Sequence, residues 1–474
     1  MSGLPDRRSE WSSHETEFSP SGNGRPEKRP NIVFIFADDL GWGDVGAYGS
    51  LHNSTPALDA LAAEGLRFEQ GYAASPTCSP TRFALYTGRY PGRTEGGLQE
   101  PLAIRNETAG IPVDHPTLPS LLRDSGYSTA MIGKWHCGWL PWFSPVKSGF
   151  QKFWGSFDGA VDYFSHVDTA GQHDLWEGEE PTEEAGYMTD LISRRGAEYI
   201  REHDGDEPFY LHLNYTAPHW PWEGPGDQAV SEKVNQSIRE GRGTGLFHFE
   251  GGSLETYREM VKALDTGIGE VLAALDEKGL KEDTIVVFAS DNGGERYAFL
   301  WPYVGQKGDL EEGGIRVPMI ARWPEAIRPS QKTDLPVITM DWTATLLDAA
   351  GVDPDPAYQL DGQSLLPWLI DGTGKPDRDL LWRTREQGAL RRGRFKLLYD
   401  RKAKPFIHGL FAKDGPRARL FDVEADGRET ADLAGEHPEL LEELLAQWHE
   451  FDRELLEYPP LPRFGSGDIP GLED

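Results

Sequence analysis

The sequence predicts a large α/β fold: a doubly wound, mixed but mostly parallel sheet flanked by helices, with a small C-terminal antiparallel sheet and one helix packed beside it. Three observations predict this. Strand-like and helix-like segments alternate from about residue 30 to residue 350. The runs over 32–36 and 284–288 are continuously apolar, as strands covered on both faces are. From about residue 376 the texture changes to short strand-like runs separated by turn signals, at 395–399 and 419–421, before a final helix over 438–455.

The elements follow in order. The run at 32–36 breaks off in Asp38-Asp39-Leu40-Gly41. Thr55, Pro56 and Gly65 mark the cap, first position and stop of a helix. A helix over 117–124 stops at Gly126, and a strand over 127–132 ends in Gly133-Lys134-Trp135-His136. An amphipathic helix over 188–203 precedes a strand over 209–214, which leads to Ala217-Pro218-His219. The longest helical pattern, 253–278, stops at Gly279, and the strand within 283–290 ends in Asp291-Asn292-Gly293-Gly294. A strand over 335–340 and a helix over 342–350 follow, with Asp341 as N-cap and Gly351 as stop. No short-period repeat is visible. The domain reading is a disordered segment over 1–29, a main domain over 30–375 and a C-terminal subdomain over 376–474.

The 474 residues carry 47 Lys and Arg against 78 Asp and Glu, a formal charge of −31. That balance argues against a nucleic-acid partner, since a phosphate backbone needs a basic face, and against an anionic membrane surface. No apolar window reaches the ~18 residues of a spanning helix. The polar N-terminus has no apolar core after Arg7-Arg8, so a cytoplasmic location is the expectation. Two cysteines, Cys78 and Cys137, exclude a disulfide-stapled fold.

Chemistry gathers where predicted strands end: Asp38-Asp39, Lys134 with His136, His219, and Asp291-Asn292. In open α/β sheets such ends converge on one edge, where ligands bind. Asp38, Asp39, Asp291 and Asn292 offer only oxygen donors, which suit Ca²⁺ or Mg²⁺ better than zinc. Pro80 marks a helix start beside Cys78, and the positive end of that helix would lower the thiol pKa and attract anions. Arg82 lies one turn on and reaches the same spot. Each residue alone has a plainer reading: helix capping for the acid pairs, an incidental thiol for Cys78, packed loop residues for His136 and His219, a solvated side chain for Lys307.

Together they carry a resemblance. Cys78-Ser-Pro-Thr-Arg82 matches the C-x-P-x-R core of the type I sulfatases, within the alkaline phosphatase superfamily. At this composition about 0.015 such matches arise by accident. Asp38-Asp39-Leu-Gly-Trp-Gly-Asp44, Gly88-Arg-Tyr-Pro91, Gly133-Lys-Trp-His136, Pro218-His219, Ser290-Asp-Asn-Gly293 and the Lys307–Arg316 stretch also resemble sulfatase motifs, in family order over about residues 30–460.

The resemblance implies an alkaline-phosphatase-like sulfatase fold and sulfuric ester hydrolysis. It implies that a formylglycine-generating enzyme oxidises Cys78 to Cα-formylglycine, whose hydrate attacks sulfur and then expels sulfate. It assigns Asp38, Asp39, Asp291 and Asn292, with residue 78, to a Ca²⁺ or Mg²⁺ ion. Arg82 and Lys134 would stabilise the hydrate and sulfate, His136 would act as base, and His219 and Lys307 would hold sulfate oxygens and the leaving oxygen. Asn292 follows the arylsulfatases and carbohydrate sulfatases; phosphonate monoester hydrolases tend to carry His there. A phosphomonoesterase or phosphodiesterase on the same scaffold, or a non-catalytic binder of sulfated ligands, are the alternatives. Cys137 departs from the family's usual aliphatic residue and is read as packing. Trp135, Trp139, Trp142, Trp154, Trp220, Trp222 and Trp301 lie in or near the motif loops, as sugar- or aryl-stacking faces or as core. A carbohydrate sulfate is the favoured substrate. Oligomeric state is not legible.

Overall fold

The computed structural model describes residues 16–26, 28–103, 105–241, 246, 251–401 and 417–459. Its centre is the strand Asn31–Ala37, buried along its whole length. Ile32, Phe34 and Phe36 enter the core on one face of the sheet, and Val33, Ile35 and Ala37 enter the core on the other. Two covered faces are why the run is continuously apolar.

Thr284–Ser290 pairs parallel to Asn31–Ala37 on one side and Phe209–Asn214 on the other. Ser128–Gly133 and Lys152–Gly155 continue the parallel series outward. Met319–Arg322 pairs antiparallel with Thr284–Ser290 and with Leu66–Phe68, so the eleven-stranded sheet is mixed. Helices Met188–Glu202 and Leu254–Glu277 cover one face through Ile192, Leu264, Ile268 and Val271. Cys78–Thr87, Leu118–Asp124 and Thr339–Ala350 cover the other through Phe83, Leu122 and Leu346. Each such fully buried side chain contributes about 1.5–3 kcal/mol. The sheet centre is therefore the rigid floor from which the polar loops project.

The C-terminal region is a four-stranded antiparallel meander: Leu380–Arg383, Gln387–Arg392, Phe395–Asp400 and Arg417–Asp422. Helix Pro438–Glu454 lays Leu444 and Trp448 on Leu390, Leu397 and Leu420. Fold class and C-terminal architecture are those the sequence predicts. Among the described residues, no helix is long and apolar enough to cross a membrane.

Three local expectations are corrected. Residues 16–26, expected to be disordered, are held at the sheet edge: Thr16–Glu17 pairs with Gln331–Thr333, and Phe18 stacks on Trp368 at 3.9 Å. Residues 1–15 of that expected segment lie outside the described residues. The strand expected over 335–340 is only Val337–Ile338, because the next helix already begins at Thr339. Asp341 is therefore not the cap but sits in the first turn, where its carboxylate accepts the Ile338 and Gln363 N–H groups at 3.0 and 2.9 Å.

Candidate active site

The register decides the site. Ala37 lies opposite Ser290, and Gly133 opposite Asn214. The next residues of these strands, Asp38, Asp291 and Lys134, leave one edge together. The ladder runs on for one more bond at each: Asp291 N–H to Ala37 O at 3.1 Å, Lys134 N–H to Asn214 O at 2.9 Å, and Asp38 N–H to Ala217 O at 3.1 Å. Asp39 (φ 65°) and His136 (φ 52°) occupy the left-handed region, a strain that clusters at functional sites. Gly133 permits the turn into Lys134, since at φ 113° a Cβ would lie 1.9 Å from Asn214 O.

Cys78 is the first residue of helix Cys78–Thr87, with Thr77 as N-cap, and every residue of that helix is buried. Arg82, one turn on, donates from Nε and Nη2 to Asp291 Oδ2 at 3.1 and 2.8 Å, and from Nη1 to Lys134 O at 3.1 Å. Both charges of the Arg82–Asp291 pair are fully buried. The expected lowering of the Cys78 pKa is corrected: burial pushes the thiol up, and Lys134 and Lys307 offset this only in part. Desolvation outweighs the helix end, so residue 78 as cysteine is a thiol rather than a reactive thiolate.

His136 faces Cys78, with Nδ1 3.3 Å from Sγ. Its Nε2 lies 3.1 Å from Leu102 O. A carbonyl only accepts, so Nε2 carries the proton and Nδ1 turns its lone pair to residue 78. Burial, then Lys134, push the His136 pKa well below its ordinary value. Burial, then Lys307 and Lys134, do the same to His219, whose Nδ1 donates to Trp220 O at 2.6 Å.

Lys134 bonds to Asp38 Oδ2, and Lys307 donates to Asp39 Oδ2 at 2.7 Å. The Lys307 loop is tied to the loops it faces, by Lys307 N–H to Gly294 O at 3.0 Å and Gly308 N–H to Pro76 O at 2.8 Å. His219 Nε2 approaches Asp39 Oδ2 at 3.6 Å.

A cation fits this donor set. Asp38 Oδ1 and Asn292 Oδ1 are buried and accept no hydrogen bond. Buried acceptors of that kind are costly unless something positive fills the space between them. Asn292 donates its Nδ2 to Asp39 Oδ1 at 2.7 Å and to Gly293 O at 2.8 Å, leaving Oδ1 free. Ligand atoms of Asp38, Cys78 and Asp291 lie within 4.8 Å of one another, as do those of Asp38, Asp39 and His219. The structure thus gathers all ten residues singled out from the sequence: Asp38, Asp39, Cys78, Arg82, Lys134, His136, His219, Asp291, Asn292 and Lys307.

The family profile described as Sulfatase matches residues 30–352. The chain belongs to the sulfatase family. A second profile, N-sulphoglucosamine sulphohydrolase, C-terminal, matches residues 306–451. Mouse (Mus musculus) arylsulfatase J is 30% identical, over 93% of this chain and 79% of its own. Rat (Rattus norvegicus) N-acetylgalactosamine-6-sulfatase is 34% identical, over 74% of this chain and 67% of its own. The crystal structure of Ps i-CgsB in complex with k-i-k-neocarrahexaose matches with a TM-score of 0.78 at 29% identity, covering 91% of this chain and 94% of that one. This sulfatase is an enzyme that hydrolyses sulfate esters.

Sequence reasoning missed two parts of the site. Leu102 O, which fixes the His136 tautomer, is a backbone atom that no side-chain pattern marks. Glu295, 4.0 Å from Lys307, sits three residues beyond Asn292 and has the signal of an acid beside a motif, which went unread. Of the motif tryptophans, Trp135, Trp139, Trp154 and Trp222 are buried as core, whereas Trp142 and Trp301 are exposed. Cys137 is fully buried in the core, as packing requires, and both cysteines are free.

Proposed function

We propose that this sulfatase cleaves carbohydrate sulfate monoesters through a Cα-formylglycine hydrate made from Cys78 by a formylglycine-generating enzyme, with Ca²⁺ or Mg²⁺ bound. The observation that carries the proposal is the meeting of Cys78 Sγ and the His136 Nδ1 lone pair with the unpartnered Asp38 and Asn292 oxygens. Asp38, Asp39, Asp291 and Asn292 would hold the metal, with residue 78 completing its shell. The metal, when bound, supplies positive charge for the ester oxygens and the residue-78 hydrate. The hydrate would supply one hydroxyl that attacks sulfur as the ester's alcohol leaves, and a second whose deprotonation re-forms the aldehyde and expels sulfate.

The chain's own residues do the rest. Arg82 is locked by Asp291 and keeps its charge beneath residue 78. Lys134, anchored on Asp38, aims a second cation at the ester. His136 Nδ1 takes the proton from the second hydroxyl as sulfate departs. Burial alone would lower the Lys307 pKa, but the surrounding negative groups, Asp39 first, together raise it beyond that, so Lys307 stays cationic and donates to ester oxygens. His219 directs Nε2 into the same space; a bound anion favours its protonated form, which donates to the leaving oxygen.

Two experiments follow. A lowered His136 pKa means that the neutral base persists to lower pH, so the acid limb of kcat is expected below about pH 6.5. A pH–rate profile that already falls at or above that value contradicts His136 as the base. The carbohydrate reading is supported by the sugar-named relative and the oligosaccharide-bound neighbour. Sulfated monosaccharides are expected to give higher kcat/KM than simple aryl sulfates, and the reverse preference would remove the carbohydrate assignment.

A further inference from the structure

Among the described residues, three cations and four carboxylates close on the site. Arg82 pairs with Asp291 at 2.8 Å, Lys134 with Asp38, and Lys307 with Asp39 at 2.7 Å. The fourth carboxylate, Glu295, has no cation to itself. Among the described residues its cation contact is Lys307, 4.0 Å from Oε2, and that buried oxygen accepts no hydrogen bond. Trp220, whose ring lies 4.3 Å from that of His219, donates to the same carboxylate. Glu295 thus stands at the rim between Lys307 and the His219–Trp220 pair, with 34% of its side chain exposed. An extra carboxylate beside an anion-binding lysine opposes the substrate's own charge.

We propose that Glu295 sets the charge selectivity of the site, admitting monoanionic esters and rejecting dianionic ones such as phosphate monoesters. The inference rests on the reading of Lys307 as a holder of ester oxygens. In the free site, where burial keeps His219 neutral, these seven charged side chains leave one net negative charge, which a divalent cation turns into one positive charge. A monoanionic sulfate ester neutralises that charge. A phosphate monoester is close to a dianion above its second pKa of about 6, and its second charge meets Glu295 unmatched. Two unit charges ~6 Å apart at an effective dielectric of ~20 change a binding constant by roughly 100-fold. Solvent at the rim reduces this to about tenfold.

The test compares wild type with Glu295→Gln, both carrying formylglycine and metal, at about pH 8. Calorimetry measures binding of phenyl phosphate, a dianion, and of methyl phenyl phosphate, a monoanionic diester of similar shape. Glu295→Gln is expected to tighten phenyl phosphate about tenfold or more and to move the diester less than about twofold. Glu295→Asp, which keeps the charge, is expected to retain wild-type discrimination. Equal shifts for both ligands, or none, would overturn the proposal, because a merely structural role moves both together. Phenyl sulfate turnover by the same preparations reports separately on the sulfatase reading. Absent turnover with charge-selective binding intact would defeat that reading and leave the role of Glu295 standing.

Discussion

Cys78→Ala is expected to lower steady-state sulfate ester hydrolysis by at least about 10³-fold while the protein stays folded and binds its metal. The substitution removes one atom at the first position of a buried helix, where alanine is well tolerated, so the stability cost is about 1 kcal/mol. The proposed metal would keep the oxygens of Asp38, Asp39, Asp291 and Asn292. Cys78→Ser sharpens the result. A serine hydroxyl occupies the same place before His136 and can accept sulfate, but it has no second hydroxyl through which to expel it. One turnover per molecule and then arrest is the expected course, read as a stoichiometric burst of released alcohol. Continued turnover by either variant contradicts a mechanism centred on residue 78.

The second large effect is at Asp291. Asp291→Ala is expected to lose the metal and activity together, because Asp291 both faces Cys78 and Asp38 and neutralises Arg82. Breaking the Arg82–Asp291 pair also leaves a fully buried guanidinium with only the longer Asp38 carboxylate contact at 3.9 Å, at a cost of up to about 3–5 kcal/mol. A drop in Tm is therefore part of the prediction. Asp291→Asn separates the two effects, since the amide oxygen still accepts from Arg82 but brings no charge to the cation. Elemental analysis of purified protein reads the outcome. Stoichiometric metal retained in Asp291→Asn and in Asp291→Ala would show that the ion is held elsewhere.

Much of this was legible because it is local. The run at 32–36 and the strand Phe209–Asn214 announce themselves by burial on two faces, and their polar ends mark the sheet edge. The motif residues could be named because the C-x-P-x-R core and the acid pairs are contiguous in the chain. What stayed hidden depends on contacts between distant segments. Thr16–Glu17 is polar and joins the sheet through backbone bonds, a Thr16 hydroxyl bond to Ser330 O at 3.5 Å and a Glu17–Lys332 ion pair at 3.3 Å, so no apolar pattern announces it. The Cys78 pKa runs opposite to the sequence expectation because the helix end is visible in sequence and the depth of burial is not. The C-terminal meander was readable as short strands, but its tie to the Lys307 loop was not. There Lys396, fully buried, pairs with Glu312 and Glu429, each at 2.9 Å. That network fixes the helical turn Glu312–Ile315 just beyond Lys307 against the neighbouring sheet.

The most direct test of the central claim is the mass of the proteolytic peptide that contains residue 78, from protein made in its own host. Cysteine and formylglycine differ in mass, and the aldehyde reacts with a hydrazide probe that a thiol ignores. The mechanism requires the formylglycine mass, with hydrolytic activity rising in proportion to the modified fraction across preparations. Full activity in protein whose residue 78 is an unmodified thiol would contradict it.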